Sequence, residues 1–215
     1  MSELQLRKQI IAVANAMSDS GLSPGKSGNV SARSGKRILI TPTGVPYASL
    51  KPKDIVMFDE KGKVVAGSLL PSSEWHFHLA IYKARKEANA IVHTHSLFAT
   101  GLACAHRNIP AFHYMVAVAG GDSIRCASYA TFGTSDLARH AVAALRGRQA
   151  CLLANHGQIA LGGSPQNALD MANEVETLAA QYSAALQAGK PVILDAAEMA
   201  RVLKKFRTYG QQKRD

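Results

Sequence analysis

Apolar residues at Leu4, Leu6, Ile10, Ile11, Ala14 and Met17 recur at helical spacing, and the run ends in Ser20-Gly21 and Pro24-Gly25. The chain is therefore expected to begin with an amphipathic helix. The period then shortens. Asn29–Ala32, Arg37–Thr41 and Ile55–Phe58 read as strands, and Glu60-Lys61-Gly62-Lys63 reads as a turn into Val64-Val65, which together suggest an antiparallel hairpin system. A second helix is expected from the polar start Ser72-Ser73-Glu74, with Trp75, His78, Leu79 and Tyr82 on one face. Ala90-Ile91-Val92-His93-Thr94-His95 returns to strand. Further helices are expected at Leu97–His106, Thr134–Leu145, Pro165–Gln187 and Ala196–Phe206. Strand-like Ala150–Ala154 and Gln158–Leu161 flank Asn155-His156-Gly157. The pattern predicts an α/β fold in which helices flank a mostly antiparallel central sheet.

Length and composition narrow this picture. The chain has 215 residues, 47% of them hydrophobic and 19% charged, without an internal repeat or linker, so one domain able to bury its own core is expected and disorder is not. Cys104, Cys126 and Cys151 are odd in number and widely spaced, and are read as buried reduced thiols with no zinc-finger spacing. Twenty-five Lys and Arg against 15 Asp and Glu leave a net charge of +10. Such an excess suits nucleic acid, an acidic membrane or small anions. Here it is dispersed, with no basic run interleaved with aromatics, and no apolar run approaches the ~20 residues of a spanning helix. Arg7-Lys8 before an apolar stretch imitates a targeting signal, but the stretch stops at Asn15. The expectation is a cytoplasmic protein that binds neither nucleic acid nor membrane.

The sharpest chemical signal is His93-Thr94-His95 at the end of an apolar strand. Alternate strand residues share a face, so both imidazoles can grip one cation. His156 sits at a glycine-marked corner between two apolar strands, and Glu74 sits at a polar helix start. Three imidazoles, an acid and an open position are the components of a catalytic zinc site. His76 and His78 also lie near Glu74, so a different ligand set can be written, but these two and His106, His113 and His140 are read as core or surface histidines.

Three loops carry small hydroxyl, amide and glycine residues: Ser27-Gly28-Asn29, Thr41-Pro42-Thr43-Gly44 and Ser72-Ser73. Glycine lets backbone N–H groups approach an anion, and a helix N-terminus adds free amides, so these loops suit a phosphate. No Walker or dinucleotide glycine pattern is present. The proposed cradle contains no Lys or Arg.

Ser27-Gly28-Asn29-Val30-Ser31, Thr41-Pro42-Thr43-Gly44, Pro71-Ser72-Ser73-Glu74, His93-Thr94-His95 and Asn155-His156-Gly157, taken in this order, resemble the class II aldolase/adducin family. The likeness runs almost end to end, through Ile109–Met115, Tyr129–Thr134 and Lys205–Gly210. It implies His93, His95 and His156 as zinc ligands, with Glu74 as an acid/base that also touches the metal when substrate is absent. It implies Gly28, Asn29, Thr43, Gly44, Ser72 and Ser73 as the phosphate cradle and Phe132 at the aldehyde end of the substrate. Tyr114 and Tyr209 are implied as catalytic groups reaching a neighbouring subunit's site, with the tail 196–215 folded over that neighbour in a homotetramer.

The activity implied is zinc-dependent cleavage of a ketose 1-phosphate to dihydroxyacetone phosphate and a short aldehyde. Relatives of the same fold dehydrate, epimerise or decarboxylate sugar phosphates, and the adducin branch binds without catalysis. An intact set of three histidines and Glu74 favours an enzyme over a binding module.

Overall fold

In the computed structural model, residues 2–24 and 26–206 are described. The first helix, α1 (Glu3–Asp19), starts in a capping box in which Ser2 and Gln5 satisfy each other's free amides, and it buries Ile10, Val13, Ala14 and Met17. Four strands follow: β1 (Asn29–Ser34), β2 (Arg37–Ile40), β3 (Val56–Asp59) and β4 (Val64–Ala66). Helix α2 (Trp75–Ala84) leads into β5 (Ala90–Thr94), then α3 (Leu97–Cys104) and a 3-10 segment at Tyr114–Ala119. The remainder is β6 (Arg125–Ala127), α4 (Ser135–Ala144), β7 (Ala150–Leu153), β8 (Gly157–Gly162), α5 (Pro165–Ala188) and α6 (Ala196–Phe206).

Among the described residues the eight strands form one sheet in the order β4-β3-β2-β1-β5-β8-β7-β6. Every pair is antiparallel except β6 with β7. The alternation along each strand assigns its side chains to two cores. Ile38, Ile40, Val56, Phe58, Ile91, Ile159 and Leu161 face α2 and α4, where Phe77, Ile81, Leu137 and Ala141 cover them. The intervening Leu39, Met57, Ala90, Val92 and Ala160 face α1 and α5, against Ile10, Val13, Ala168 and Ala172. A third cluster joins α3, the 3-10 segment, α5 and α6. The architecture is a sheet between helical layers, the expected α/β class.

Two features depart from expectation. Strand β6 was not anticipated: it is three residues long and lies at the sheet edge, too short to show alternation. The thiols are free but not all buried, because Cys104 is exposed at the end of α3 and Cys126 is half-buried, while only Cys151 lies in the core. The expected buried reduced set therefore holds for Cys151 alone.

Candidate active site

The central strand β5 carries the first two histidines. His93 shares the parity of Ile91 and so points toward the α2 layer, where Phe77 meets its ring edge-on. Its Nδ1–H donates to the carbonyl of Gln158 on the neighbouring β8 at 2.8 Å, leaving Nε2 directed away from the strand pair. His95 follows just after the strand, at the corner into α3. That corner is held from behind by Glu176 of α5, which accepts from Ser96 Oγ (2.6 Å) and from the backbone N–H groups of Phe98 and Ala99 (both 2.8 Å). The carboxylate thereby satisfies the free amides of the α3 N-terminus. Gln158 adds a second clamp, donating from Nε2 to Ser96 Oγ and to the Ala172 carbonyl.

His156 stands in the turn between β7 and β8. The turn closes through Asn155 at φ 53°, a conformation Asn tolerates better than most residues. Gly157 lets it press against β5, since a Cβ there would lie 2.3 Å from the Thr94 carbonyl and 2.9 Å from the His95 ring. Glu74 occupies the N-cap of α2, yet its side chain makes no capping bond. The carboxylate turns inward instead: Oε2 lies 3.1 Å from His93 Nε2 and Oε1 lies 3.0 Å from His156 Nε2. His95 Nε2 is 2.9 Å from His93 Nε2. Ligand atoms from Glu74, His93, His95 and His156 all fall within 4.8 Å of one another.

The electrostatics of this cluster are those of a cation site. Burial opposes charge on Glu74, but the imidazoles of His93 and His156 outweigh it and hold the carboxyl well below the usual range. Burial likewise opposes charge on His93, and the Glu74 carboxylate overcomes it and raises the His93 pKa. His95 is pushed down to about 3, by burial first and then by the other two histidines, so it is neutral. Glu74 Oε1 is buried without a properly directed hydrogen bond despite its proximity to His156. An unpartnered carboxylate oxygen among converging ring nitrogens is the donor set that divalent metals of zinc type accept. These four residues can hold such an ion.

Beside the cluster lies a cavity of about 340 Å³ lined by Lys26, Ser27, Ser73, Glu74, His95, Tyr129, Phe132, Asn155 and His156. The three loops singled out in the sequence meet at its edge. Pro42 and Pro71 bridge, Ser72 N donates to the Thr41 carbonyl and Thr43 N donates to the Leu70 carbonyl, which joins the second loop to the third. The first joins them through Val30 N, which donates to Thr41 Oγ1, and through Asn29 Nδ2, which donates to Glu74 Oε2 at 3.0 Å. Gly28 is buried, and a Cβ there would strike Ser23 and the His93 carbonyl, so close packing alone requires a glycine. Thr43, Gly44 and Ser73 are exposed, and Ser72 is buried with its Oγ accepting from Glu74 N. Lys26 Nζ donates to the Gly44 carbonyl at 3.1 Å, so a cation does stand at these loops, which the cradle read from sequence omits.

The Class II Aldolase and Adducin N-terminal domain profile matches residues 8–183. The chain belongs to the class II aldolase/adducin family. A 5-methylthioribulose-1-phosphate/5-deoxyribulose-1-phosphate aldolase of Rhodospirillum rubrum is 53% identical over 97% of this chain and 94% of that protein. L-fuculose phosphate aldolase of Escherichia coli K12 is 48% identical over 98% of each chain. A solved structure of an L-fuculose 1-phosphate aldolase superposes with a TM-score of 0.92 at 41% identity, covering 94% of this chain and 96% of the other.

In this class II aldolase/adducin fold the remaining histidines have separate tasks. His76 is exposed and stacks on Trp75, His113 accepts from Met115 N to cap the 3-10 segment, and His140 bonds the Ser128 carbonyl. His106 pairs with Asn155. His78, fully buried, contacts Asn29 and is no bystander. Tyr114 is exposed and lines a different cavity, with Glu198, Arg201 and Val202, away from the histidine cluster of its own chain. Phe132 lies in the cavity wall, where Tyr129 and Asn155 join it; both stand in stretches that carry the family resemblance, Tyr129–Thr134 and Asn155-His156-Gly157, but neither is assigned a role there. Tyr209 lies outside the described residues, as does the rest of 207–215.

Proposed function

We propose that this protein is a cytoplasmic zinc-dependent aldolase that cleaves a ketose 1-phosphate to dihydroxyacetone phosphate and a short aldehyde. The observation that carries this reading is the convergence of His93, His95, His156 and Glu74 beside the cavity where the three small-residue loops meet. The family membership and the aldolase names of the relatives support it.

His93, His95 and His156 would hold the ion, which supplies Lewis-acid stabilisation of the negative charge that carbon–carbon cleavage leaves on the ketose fragment. The phosphate settles on Gly28, Asn29, Thr43, Gly44, Ser72 and Ser73, of which Thr43, Gly44 and Ser73 are exposed, and Ser73 and Lys26 face the cavity. That anchorage fixes the reacting carbons beside Glu74. As the bond breaks its electron pair stays with the ketose carbon, which takes a proton from the acid form of Glu74; the carboxylate left behind is reprotonated through solvent by the proton that the hydroxyl gives up, and in synthesis the carboxylate removes the carbon's proton. Tyr114 of a neighbouring subunit takes the proton of the hydroxyl that becomes the aldehyde oxygen. Its exposure, and its place in a cavity separate from the one beside its own chain's histidines, suit a group that works across an interface in a homotetramer. Tyr209 and the tail 196–215 belong to the same contribution.

The substrate tail meets Phe132 and Tyr129, both more than half exposed in the wall. Two aromatic faces suit a short apolar terminus, so L-fuculose 1-phosphate, 5-deoxyribulose 1-phosphate and methylthioribulose 1-phosphate all fit. They differ at that end by about 1–3 kcal/mol of pocket energy. The test is to incubate the zinc-loaded protein with these three and with pentulose 5-phosphates while following dihydroxyacetone phosphate, dehydration products and epimers together. Release of dihydroxyacetone phosphate from a 1-phosphate is expected. Epimers or dehydration products without it would reject the aldolase reading.

A further inference from the structure

A chain of buried polar groups runs from the C-terminal end of α2 to the carboxylate of Glu74. Tyr82 OH lies 2.9 Å from Ser31 Oγ, Ser31 Oγ lies 2.7 Å from His78 Nδ1, His78 Nε2 bonds Asn29 Oδ1, and Asn29 Nδ2 lies 3.0 Å from Glu74 Oε2. Ser31, His78 and Tyr82 are essentially inaccessible to solvent, and Asn29 is 2% exposed. No water competes for these groups, so each must be satisfied by its neighbour.

Only one arrangement of protons does so. The Glu74 carboxylate can only accept, so the Asn29 group facing it is the NH2 and the oxygen faces His78. His78 must then carry its proton on Nε2. Burial keeps this imidazole uncharged, so Nδ1 is bare and accepts from Ser31 Oγ–H. The Ser31 oxygen in turn accepts the Tyr82 hydroxyl proton. The outer end is fixed by Arg33, whose guanidinium lies over the Tyr82 ring and donates to the Tyr82 carbonyl. Reversing any link sets two acceptors or two donors against each other.

We propose that His78 is a positioning residue. Held as the neutral Nε2–H tautomer by Ser31 and Tyr82, it locks the Asn29 amide so that its N–H faces the acid/base carboxylate of Glu74 while the Asn29 backbone stays in the phosphate loop. Asn29 is the shared piece, on the loop at one end and on Glu74 at the other, so a misplaced amide disturbs substrate seating and proton transfer together. This rests on the reading of Glu74 and Asn29 as substrate-facing groups, and the two fail separately.

Neutron diffraction from the zinc-loaded, deuterated protein is expected to place deuterium on His78 Nε2 and not on Nδ1, with the Asn29 ND2 group toward Glu74. Deuterium on Nδ1, or the Asn29 oxygen toward Glu74, overturns the assignment whatever the activity. In kinetics, His78→Gln keeps a donor near the Nε2 position and should retain kcat within about threefold. His78→Phe keeps ring volume but no donor and should lower kcat about tenfold or more and raise KM, with zinc stoichiometry unchanged; tenfold corresponds to about 1.4 kcal/mol. Equal losses in both variants would mean that His78 only fills space. Should His78→Phe fail to fold, the deuterium positions in the parent decide alone. Failure of the parent to release dihydroxyacetone phosphate would remove the aldolase reading and leave the proton chain standing.

Discussion

His93 donates its Nδ1–H to the carbonyl of Gln158 at 2.8 Å, and that bond turns Nε2 toward His95 and Glu74. The ring thus takes its orientation from the strand pairing itself, because Gln158 lies on β8 directly against β5. A backbone acceptor behind a metal-binding imidazole fixes both tautomer and ring plane. The three rings stand at 71–77° to one another with centroids 4.8–5.0 Å apart, an arrangement that directs lone pairs to one point. Replacing His93 or His156 by Ala should therefore lower the zinc-to-protomer ratio well below that of the parent in atomic absorption of dialysed protein. Unchanged zinc content would reject the substituted residue as a ligand.

Glu74→Gln isolates the acid/base role. The amide is the same size, and its oxygen can still take the place of one carboxylate oxygen beside the histidines, but it cannot carry the proton to carbon. Turnover should fall about 10²–10⁴-fold, the range for loss of a general acid/base. Zinc content and affinity for a phosphorylated inhibitor should remain near those of the parent. Cleavage at near-parent rates would remove Glu74 from the mechanism.

Much of this site is legible in the chain, and the rest is hidden for identifiable reasons. His93 and His95 announce themselves because strand period puts residues two apart on one face, and His156 because a polar ring sits at a glycine corner. His78 does not: its helical spacing with Trp75 and Tyr82 places it on the buried face, where a relay histidine and a core histidine look alike. Lys26 was missed because adjacency to Gly44 arises only when the loops close in space. The net charge of +10 misleads for a related reason. Arg7, Arg33, Arg85, Arg125 and Arg148 all donate to backbone carbonyls at loop and helix ends, so a good part of the basic excess holds the fold together. Glu176, 80 residues beyond the Ser96 whose helix start it caps from outside, leaves no local signature at all.

That cap supplies a stability prediction. Glu176→Ala removes one acceptor shared by Ser96 Oγ and two backbone amides, and Ala cannot replace it. Loss of a helix cap plus stranded donors should cost about 2–3 kcal/mol. For a chain of this size that lowers Tm by about 5–10 °C. Thermal unfolding of the zinc-loaded variant measures it, and a shift of under a degree would mean that water replaces the carboxylate at no cost.

Lys26 gives a prediction about substrate capture. Its ammonium reaches the Gly44 carbonyl across the cavity edge and can turn to a bound phosphate without leaving the loop. Lys26→Met keeps the aliphatic stem and removes the charge. An exposed pairing with a dianion is worth about 1 kcal/mol, so KM should rise about 5–10-fold with kcat little changed. The salt dependence of kcat/KM should also flatten. A fall in kcat at constant KM would instead place Lys26 in the chemical step.

Metal uptake should be proton-linked, and the sign follows from His93. In the metal-free protein burial opposes charge on His93, but the Glu74 carboxylate outweighs it and raises the His93 pKa, so this imidazole keeps its proton to higher pH than an ordinary histidine does. Its Nε2–H then sits between Glu74 Oε2 and His95 Nε2, where a metal must bind through the same nitrogen. A metal can take that nitrogen only by expelling the proton. His95, with its pKa near 3, is already neutral and releases none. Zinc affinity should consequently weaken as pH falls through the raised His93 value and level off above it. Titration calorimetry in buffers of different ionisation enthalpy should show proton release per zinc that is largest below the raised His93 value and declines as pH rises through it. Affinity and proton release that do not change with pH would show that no proton occupies the cluster before the metal arrives.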